Sequence, residues 1–304
     1  ISTENILLQL SNIVYPGTSE SYADLYGDNG IQNTMNIDKN VYSYSSDTLS
    51  SVGEYFHKDI IGDYSSKIKS ILDIVGNSDG ITFIYSNWLS SGVIPLALTL
   101  EQNGYTKYDG KEILKDSKKI EKISVAGKYY SEYSDKTEFK KANYMVIAGS
   151  GIGTNNLEEE KKIMNSDENK NGNKIKVIIG SSKAAEGLDF KNIRNIHILE
   201  PWHNINKLEQ VIGRGIRNCS HKKLDECDRN VTVYLHTSTV PDRESIDMYL
   251  YRYSEYKAKQ IGQIENILKK NALDKYVFQH GNYFDEQDVD KIKVKPSYRK
   301  NKSY

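Results

Sequence analysis

The chain has 304 residues, enough for one large domain or two small ones, with an apolar fraction of 38% and a mean hydropathy of −0.64. That is lean for a compact domain, so a packed core requires other segments to be loops or tails. The 41 basic and 41 acidic residues cancel, which excludes a bulk electrostatic pull on nucleic acid and leaves room only for a local patch.

Residues 1–62 are rich in Ser, Asn, Asp, Tyr and Gly around one apolar segment, ILLQLSNIVYP. They predict an irregular lead-in with at most short helices and strands. The opening ISTENILLQL has no starting Met, basic n-region or cleavage site, so it predicts a fragment of a longer chain without a secretory signal. YSSKIKSILDIVG follows, with Ile68, Ile71, Leu72 and Val75 at helical spacing and Gly76 as the stop. Then the pattern changes. ITFIYS (81–86), YMVIAG (144–149), KVIIGS (176–181), NIHILE (195–200) and VTVYLH (231–236) are short apolar runs rich in β-branched residues. They do not alternate, so each predicts a strand buried on both faces. WLSSGVIPLALTLEQNG, NNLEEEKKIMN and NKLEQVIGRGIRNC separate them with helical patterns. Strands alternating with helices predict an α/β fold of three layers, a mostly parallel sheet between helices.

The longest apolar run, VIPLALTL (93–100), is far short of the roughly 20 residues a membrane span needs, and no membrane partner is expected. SDENKNGNK (166–174) predicts a surface loop. Residues 243–270 predict a long helix, and KIKVKPSYRKNKSY ends the chain with six positive residues and no acid. That tail is a solvated end or, alternatively, a nucleic-acid or partner contact. The expected organisation is a lead-in at 1–62, an α/β domain at 63–242 and a helix with a basic tail at 243–304. Two cysteines, Cys219 and Cys227, cannot build a disulfide framework, which fits a reducing compartment. With His221 they make three candidate zinc ligands at irregular spacing where structural zinc takes four, so no metal site is expected. Trp88 and Trp202 could stack on bases, but their apolar flanks favour core packing.

Ligands of parallel α/β sheets bind outside the carboxyl ends of the strands. Three such ends here are chemically unusual: Ser86-Asn87-Trp88, SSKAAEGLDF (181–190), and PWHN (201–204) leading into a helix pattern. Small hydroxyls at a strand end can donate to phosphate oxygens. Gly187 permits close backbone approach, and Asp189 can accept from a ribose hydroxyl. In EQVIGRGIRNCSH (209–221), positions 210, 213, 214 and 217 line one helical stripe carrying Gln210, Arg214 and Arg217. Two arginines so spaced are a solvated face or a clamp on a transferring phosphoryl group. A clamp of that kind changes turnover by about 10³ to 10⁵.

GSSKAAEGLDF (180–190) and QVIGRGIR (210–217), separated by EPWHN (200–204), resemble motifs V and VI of superfamily 2 helicases, and GITFIYS (80–86) resembles motif IV. Together with SNIVYP (11–16), YSNWLSSGVIPLALTLEQNGY (85–105), HILEPWHN (197–204), CSHKKL (219–224) and RNVTVYLHTST (229–239), they resemble the helicase-like ATPases of large cytoplasmic DNA viruses. That group includes the poxvirus early transcription factor small subunit and nucleoside triphosphate phosphohydrolase I types. The resemblance covers most of residues 10–270 and implies a second RecA-like domain.

It also implies roles. Gln210 and Arg214 would face the nucleotide, presented from one helix edge at the rim where the strands finish. Arg217 would be the γ-phosphate finger, and Asp189 would touch the ribose or position the arginines, with Gly187 beside it. Ser181 and Ser182 would meet a nucleic-acid phosphate, and Ser86 and Asn87 would line the nucleic-acid track. Glu186 departs from the arginine common in related RNA helicases. The implied partners are DNA or RNA, the first RecA-like lobe of the same polypeptide and RNA polymerase. The implied setting is cytoplasmic, in a viral factory or virion. ATP and Mg2+ would be held mainly by that first lobe, because the sequence has no P-loop: GSGIGT (149–154) lacks the Gly-Lys-Ser/Thr ending. The fragment alone is therefore expected to be inactive. The alternatives are a chromatin-remodelling type translocase lobe and a non-catalytic RecA-like interaction module.

Overall fold

A computed structural model describes residues 3–149, 151–153, 156–182, 189–273 and 276–277. The five apolar runs form five strands: β3 (Ile81–Tyr85), β5 (Asn143–Ile147), β6 (Val177–Gly180), β7 (Ile193–Ile198) and β8 (Thr232–Leu235). A two-residue strand, β4 (Thr106–Lys107), adds an edge, giving the order β4-β5-β6-β3-β7-β8 with every pair parallel. Phe83 sits level with Ile178 on one side and Ile196 on the other. Every residue of β3 and β6 is buried, as a parallel sheet covered on both faces requires.

Alternate side chains feed two cores. On one face Ile84, Tyr144, Val146 and Ile179 meet α5 (Ser66–Asn77) and α6 (Ile94–Gln102). On the other, Phe83, Met145, Ile178 and Ile196 meet Met164 of α7 (Leu157–Met164) and Leu208 and Val211 of α8 (Ile205–Gly215). The Ser65 hydroxyl accepts from the Ile68 amide at 3.0 Å and so starts α5. The segment before α6 is a π turn, Leu89–Val93, which hands over to the α-helix at Pro95, a residue with no amide hydrogen to lose.

The first sixty residues hold short helices and strands. Residues 3–64 form α1 (Thr3–Asn12), α2 (Gly27–Thr34), a hairpin of β1 (Met35–Asp38) and β2 (Val41–Tyr44), α3 (Ser46–Ser51) and α4 (Ile61–Tyr64). Their side chains Ile13, Tyr15, Ile31, Tyr44, Tyr55 and Phe56 join the same core as α5 and α6. Tyrosine supplies much of this apolar surface, with Tyr55 and Phe56 ring centroids 4.3 Å apart and Tyr44 and Tyr55 at 5.5 Å. The buried hydroxyls are bonded, Tyr55 to the Thr34 hydroxyl at 2.9 Å and Tyr44 to Gln102 Oε1 at 3.3 Å.

One compact unit runs through Ser254, and a second begins at Glu255 within α9 (Ile246–Asn271). No described helix is long and apolar enough to cross a membrane. Inside the first unit, Lys67 and Asp247 form an ion pair at 2.7 Å with side chains 1% and 0% exposed. Lys67 Nζ also donates to Asn12 Oδ1 at 3.0 Å, while Asp247 accepts from the Ser238 amide at 2.8 Å and the Ser11 hydroxyl at 3.0 Å. Burial pushes the Lys67 ammonium below its ordinary pKa in spite of its partner. Removing one member strands the other charge in a dry site, so Asp247→Ala should cost about 3–5 kcal/mol in urea unfolding, and Lys67→Met with Asp247→Leu should restore most of it. A loss under about 1 kcal/mol in the single variant would show that the pair holds nothing together.

Candidate functional site

The site grows from the carboxyl end of β7. Glu200, two residues past the strand, is 2% exposed, yet three donors from two other elements reach it. Asn12 Nδ2 of α1 donates at 3.0 Å, Ser86 Oγ beyond β3 donates at 3.0 Å, and the Asn87 amide donates as well. Gly92 makes this crossing possible, because a Cβ there would lie 1.9 Å from Ser86 Oγ. Ser86, expected to line a nucleic-acid track, is consequently fully buried with its hydroxyl on Glu200. Asn87 stays half-exposed, its Oδ1 accepting from Lys207 Nζ at 3.3 Å. The Lys207 ammonium also lies 3.5 Å above the ring of the half-buried Trp202. Beside Asn87 and Trp88 opens a cleft of about 690 Å3 that α2 closes with Asp28 and Gln32. Ser181, after β6, is 4% exposed, its hydroxyl 3.5 Å from the Ile147 carbonyl, whereas Ser182 is exposed. Gly187 and Glu186 lie outside the described residues.

Helix α8 starts just past that rim and runs back along the sheet. Gly215 packs against Ile193 and Ile196, where a Cβ would come within 3.0 Å of Ile196. The helix stops there, with Ile216 extended (φ −114°, ψ 90°). Arg217 therefore does not share the helical stripe of Gln210 and Arg214, and the arginines gather at the far end of α8 from the strand ends. Arg217 folds back, its Nε donating to the Gly213 carbonyl at 3.2 Å and its Nη1 pairing with Asp189. Asp189 is set in place by its neighbours. Asn165 Nδ2 donates to its carbonyl at 3.0 Å, and the adjacent Phe190 is buried against Phe83 and donates its amide to the Arg214 carbonyl at 3.1 Å. Arg214 is half-buried with its Nε hydrogen out of solvent and unbonded, and no ion-pair partner among the described residues; Gln210 is exposed. A guanidinium so placed is short of an anion.

Residues 107–219 match the helicase conserved C-terminal domain family. The chain carries a helicase C-terminal domain. Two proteins of Acanthamoeba polyphaga mimivirus named as ATP-dependent RNA helicases are similar to it. One is 28% identical over 328 residues, covering 91% of this chain and 29% of the relative; the other is 32% identical over 232 residues, covering 75% and 36%. The early transcription factor large subunit homolog of African swine fever virus is 30% identical over 220 residues, covering 72% of this chain and 19% of the relative. The chain thus spans about a third or less of the length of these curated relatives. The match takes in Ser181, Ser182, Asp189, Gln210, Arg214 and Arg217 of the helicase domain, while Ser86 and Asn87 precede it.

Two residues of this helicase domain escaped the sequence reading. Lys207 stands three before Gln210 and seven before Arg214, on their stripe, and that spacing could have found it. Glu200 closes the mostly apolar run NIHIL, and an acid at such a boundary is the signal that was available. No group of three or more His, Cys, Asp or Glu side chains that could hold a metal ion gathers among the described residues. Cys219 and Cys227 are exposed thiols, and both His221 nitrogens are engaged, by Ser220 and by the Ile193 carbonyl.

Three donors favour the charged form of Glu200, but burial outweighs them and its pKa stands above the ordinary carboxylate value. The folded state then holds this proton more tightly than the unfolded chain. Its stabilising share is complete below about pH 4.3, the unfolded value, and is lost as pH rises through the elevated one. The stability difference between wild type and Glu200→Gln should therefore shrink with rising pH, by at most about 1.4 kcal/mol per unit, in urea midpoints measured from acid to neutral. A difference flat with pH would mean that folding leaves the Glu200 pKa unshifted.

Proposed function

We propose that the chain is the second motor lobe of an ATP-dependent nucleic-acid helicase or translocase, and that the corner of Arg214, Arg217 and Asp189 receives the phosphates of ATP carried on the first lobe. The unbonded, half-buried guanidinium of Arg214 carries this reading. Desolvation makes an unpaired cation costly, and a phosphate oxygen arriving from a facing surface would satisfy it. Gln210 stands one turn earlier on the same stripe, placed to report the same nucleotide.

Arg217 is the finger. Its pair with Asp189 involves side chains 43% and 55% exposed, and a solvated pair of this kind is worth only about 0–1 kcal/mol. The carboxylate holds the guanidinium near its working position and yields to a more highly charged phosphate. Asp189, once released, is free to accept from the ribose. Mg2+ belongs to the first lobe in this reading, and no step passes through a metal on this chain. The fragment alone hydrolyses no ATP.

The nucleic-acid strand lies at the other end of α8. Asn87, Lys207 and the exposed Ser182 hydroxyl, in place of the covered Ser86 and Ser181, donate to its backbone. Lys207 and Arg214 are seven residues apart, about 10 Å along a helix, so one rigid element touches both ligands. The names of the mimivirus relatives favour RNA as the strand, and that of the African swine fever virus relative favours a place in transcription beside RNA polymerase.

Joining the chain to its first lobe should produce ATPase activity stimulated by nucleic acid. In that protein Arg217→Ala should lower turnover by about 10³ to 10⁵ while leaving nucleic-acid affinity nearly unchanged; an unaltered rate would remove the finger assignment. Lys207→Gln should weaken binding about equally across sequences, because phosphate contacts carry no base information. A change in sequence preference would instead place Lys207 at a base edge.

A further inference from the structure

Within the segment between β4 and β5 lies a basic and aromatic stretch, in a chain whose charges cancel as a whole. Residues 118–141 hold seven lysines (118, 119, 122, 128, 136, 140, 141) against four acids (121, 132, 135, 138). Two of those acids are spent locally: Glu132 accepts from the Tyr129 amide, and Asp135 accepts from the Thr137 amide at 2.8 Å. Phe139 stands edge-on between two tyrosines, its centroid 5.0 Å from that of Tyr130 at 89° and 5.4 Å from that of Tyr133 at 88°. Beside it opens a hollow of about 500 Å3 lined by Glu121, Lys122, Tyr130, Phe139 and Lys141.

The hollow is a built feature. Isolated bridges join Ile123 to Tyr129 and Ser124 to Lys141, and the Ala142 amide donates to the Ile123 carbonyl at 2.9 Å. Behind them the buried Lys176 ammonium donates to the Val125 carbonyl and to that of Ser78. Tyr130 is nevertheless 41% exposed, and Lys122 and Lys141 are exposed with no ion-pair partner among the described residues. Lys141 stands two residues before β5, whereas Asn87 follows β3. In a parallel sheet these are opposite rims, separated by a five-residue strand, about 17 Å.

We propose that this hollow is a second nucleic-acid contact, which takes one unpaired base against Tyr130 and Phe139 and the adjoining phosphates on Lys122 and Lys141. Aromatic faces bind bases of any identity by stacking, but only when the base is out of a duplex. The lysines supply the phosphate attraction that the neutral chain as a whole does not. An acidic peptide fits less well, because Glu121 lines the hollow and carboxylates gain nothing from two aromatic walls. The proposal goes beyond the motor reading and stands without it.

The test is fluorescence anisotropy of the whole chain with a labelled unpaired pyrimidine oligonucleotide and a duplex of equal length, across a salt series. The unpaired strand should bind more tightly. Tyr130→Ala should weaken it about tenfold, and Lys122→Gln and Lys141→Gln should each reduce the slope of log affinity against log salt by about 0.7. All three residues are exposed, so thermal unfolding should stay at the wild-type temperature. Equal or tighter duplex binding, or affinity and slope unmoved in these variants, overturns the proposal. Polyglutamate bound more tightly than the oligonucleotide overturns it in favour of an acidic partner. If Lys207→Gln alone reduces binding, the hollow is excluded while the motor reading stands. If only the hollow variants reduce binding, the hollow is supported and the strand-end track fails.

Discussion

A single carboxylate under the strand ends decides how the rest of the rim is arranged. Glu200 draws in Asn12 from α1 and Ser86 and the Asn87 amide from beyond β3. A buried acid with three donors on it fixes all three, because freeing any one leaves a polar group dry and unbonded. This is why Ser86 is absent from the surface while its neighbour Asn87 reaches Lys207. It is also why the first helix belongs to the domain and not to a loose extension. The Lys67–Asp247 pair, sharing Asn12 through Lys67, continues the same polar seam to the start of α9.

How far the fold was legible depends on what kind of surface each segment buries. The central strands were readable because a strand covered on both faces reads as a mostly apolar run, and ITFIY, VIIG and NIHI are such runs, interrupted only by Thr82, Asn195 and His197. The first sixty residues hide an equally buried set behind tyrosines, whose hydroxyls give no apolar period and find their partners only in three dimensions, such as Thr34 and Gln102. The edge strand β4 is two residues long and leaves no periodic trace. At the site, residue types were legible and positions were not. QVIGRGIR continues a helical period through Arg217, but Gly215 settles onto Ile193 and Ile196 and the backbone leaves the helix. No one-dimensional pattern contains that contact. Burial of Ser86 and Ser181 was hidden for the same reason, since a hydroxyl at a strand end can turn inward or outward with equal ease.

In the proposed reading helix α8 divides the domain's two tasks between its ends. Its first turn carries Lys207, beside Asn87 and Trp202, and its last turn carries Arg214, beside the Arg217–Asp189 pair. Between them Leu208 and Val211 bury the helix in the core. A helix anchored along its middle moves as one body, so a displacement at either end appears at the other.

The π turn at Leu89–Val93 also sets how the chain enters α6. It is one residue wider than an α-helical turn and follows the extended Trp88 directly. Removing the extra residue would restore an ordinary helix but rotate everything before it by about 100° around the axis. Trp88 and Asn87 would then swing away from Lys207, and the Gly92 notch that admits Ser86 would no longer face it. The sheet would stay as it is, but its rim would show a different set of side chains to whatever lay across it.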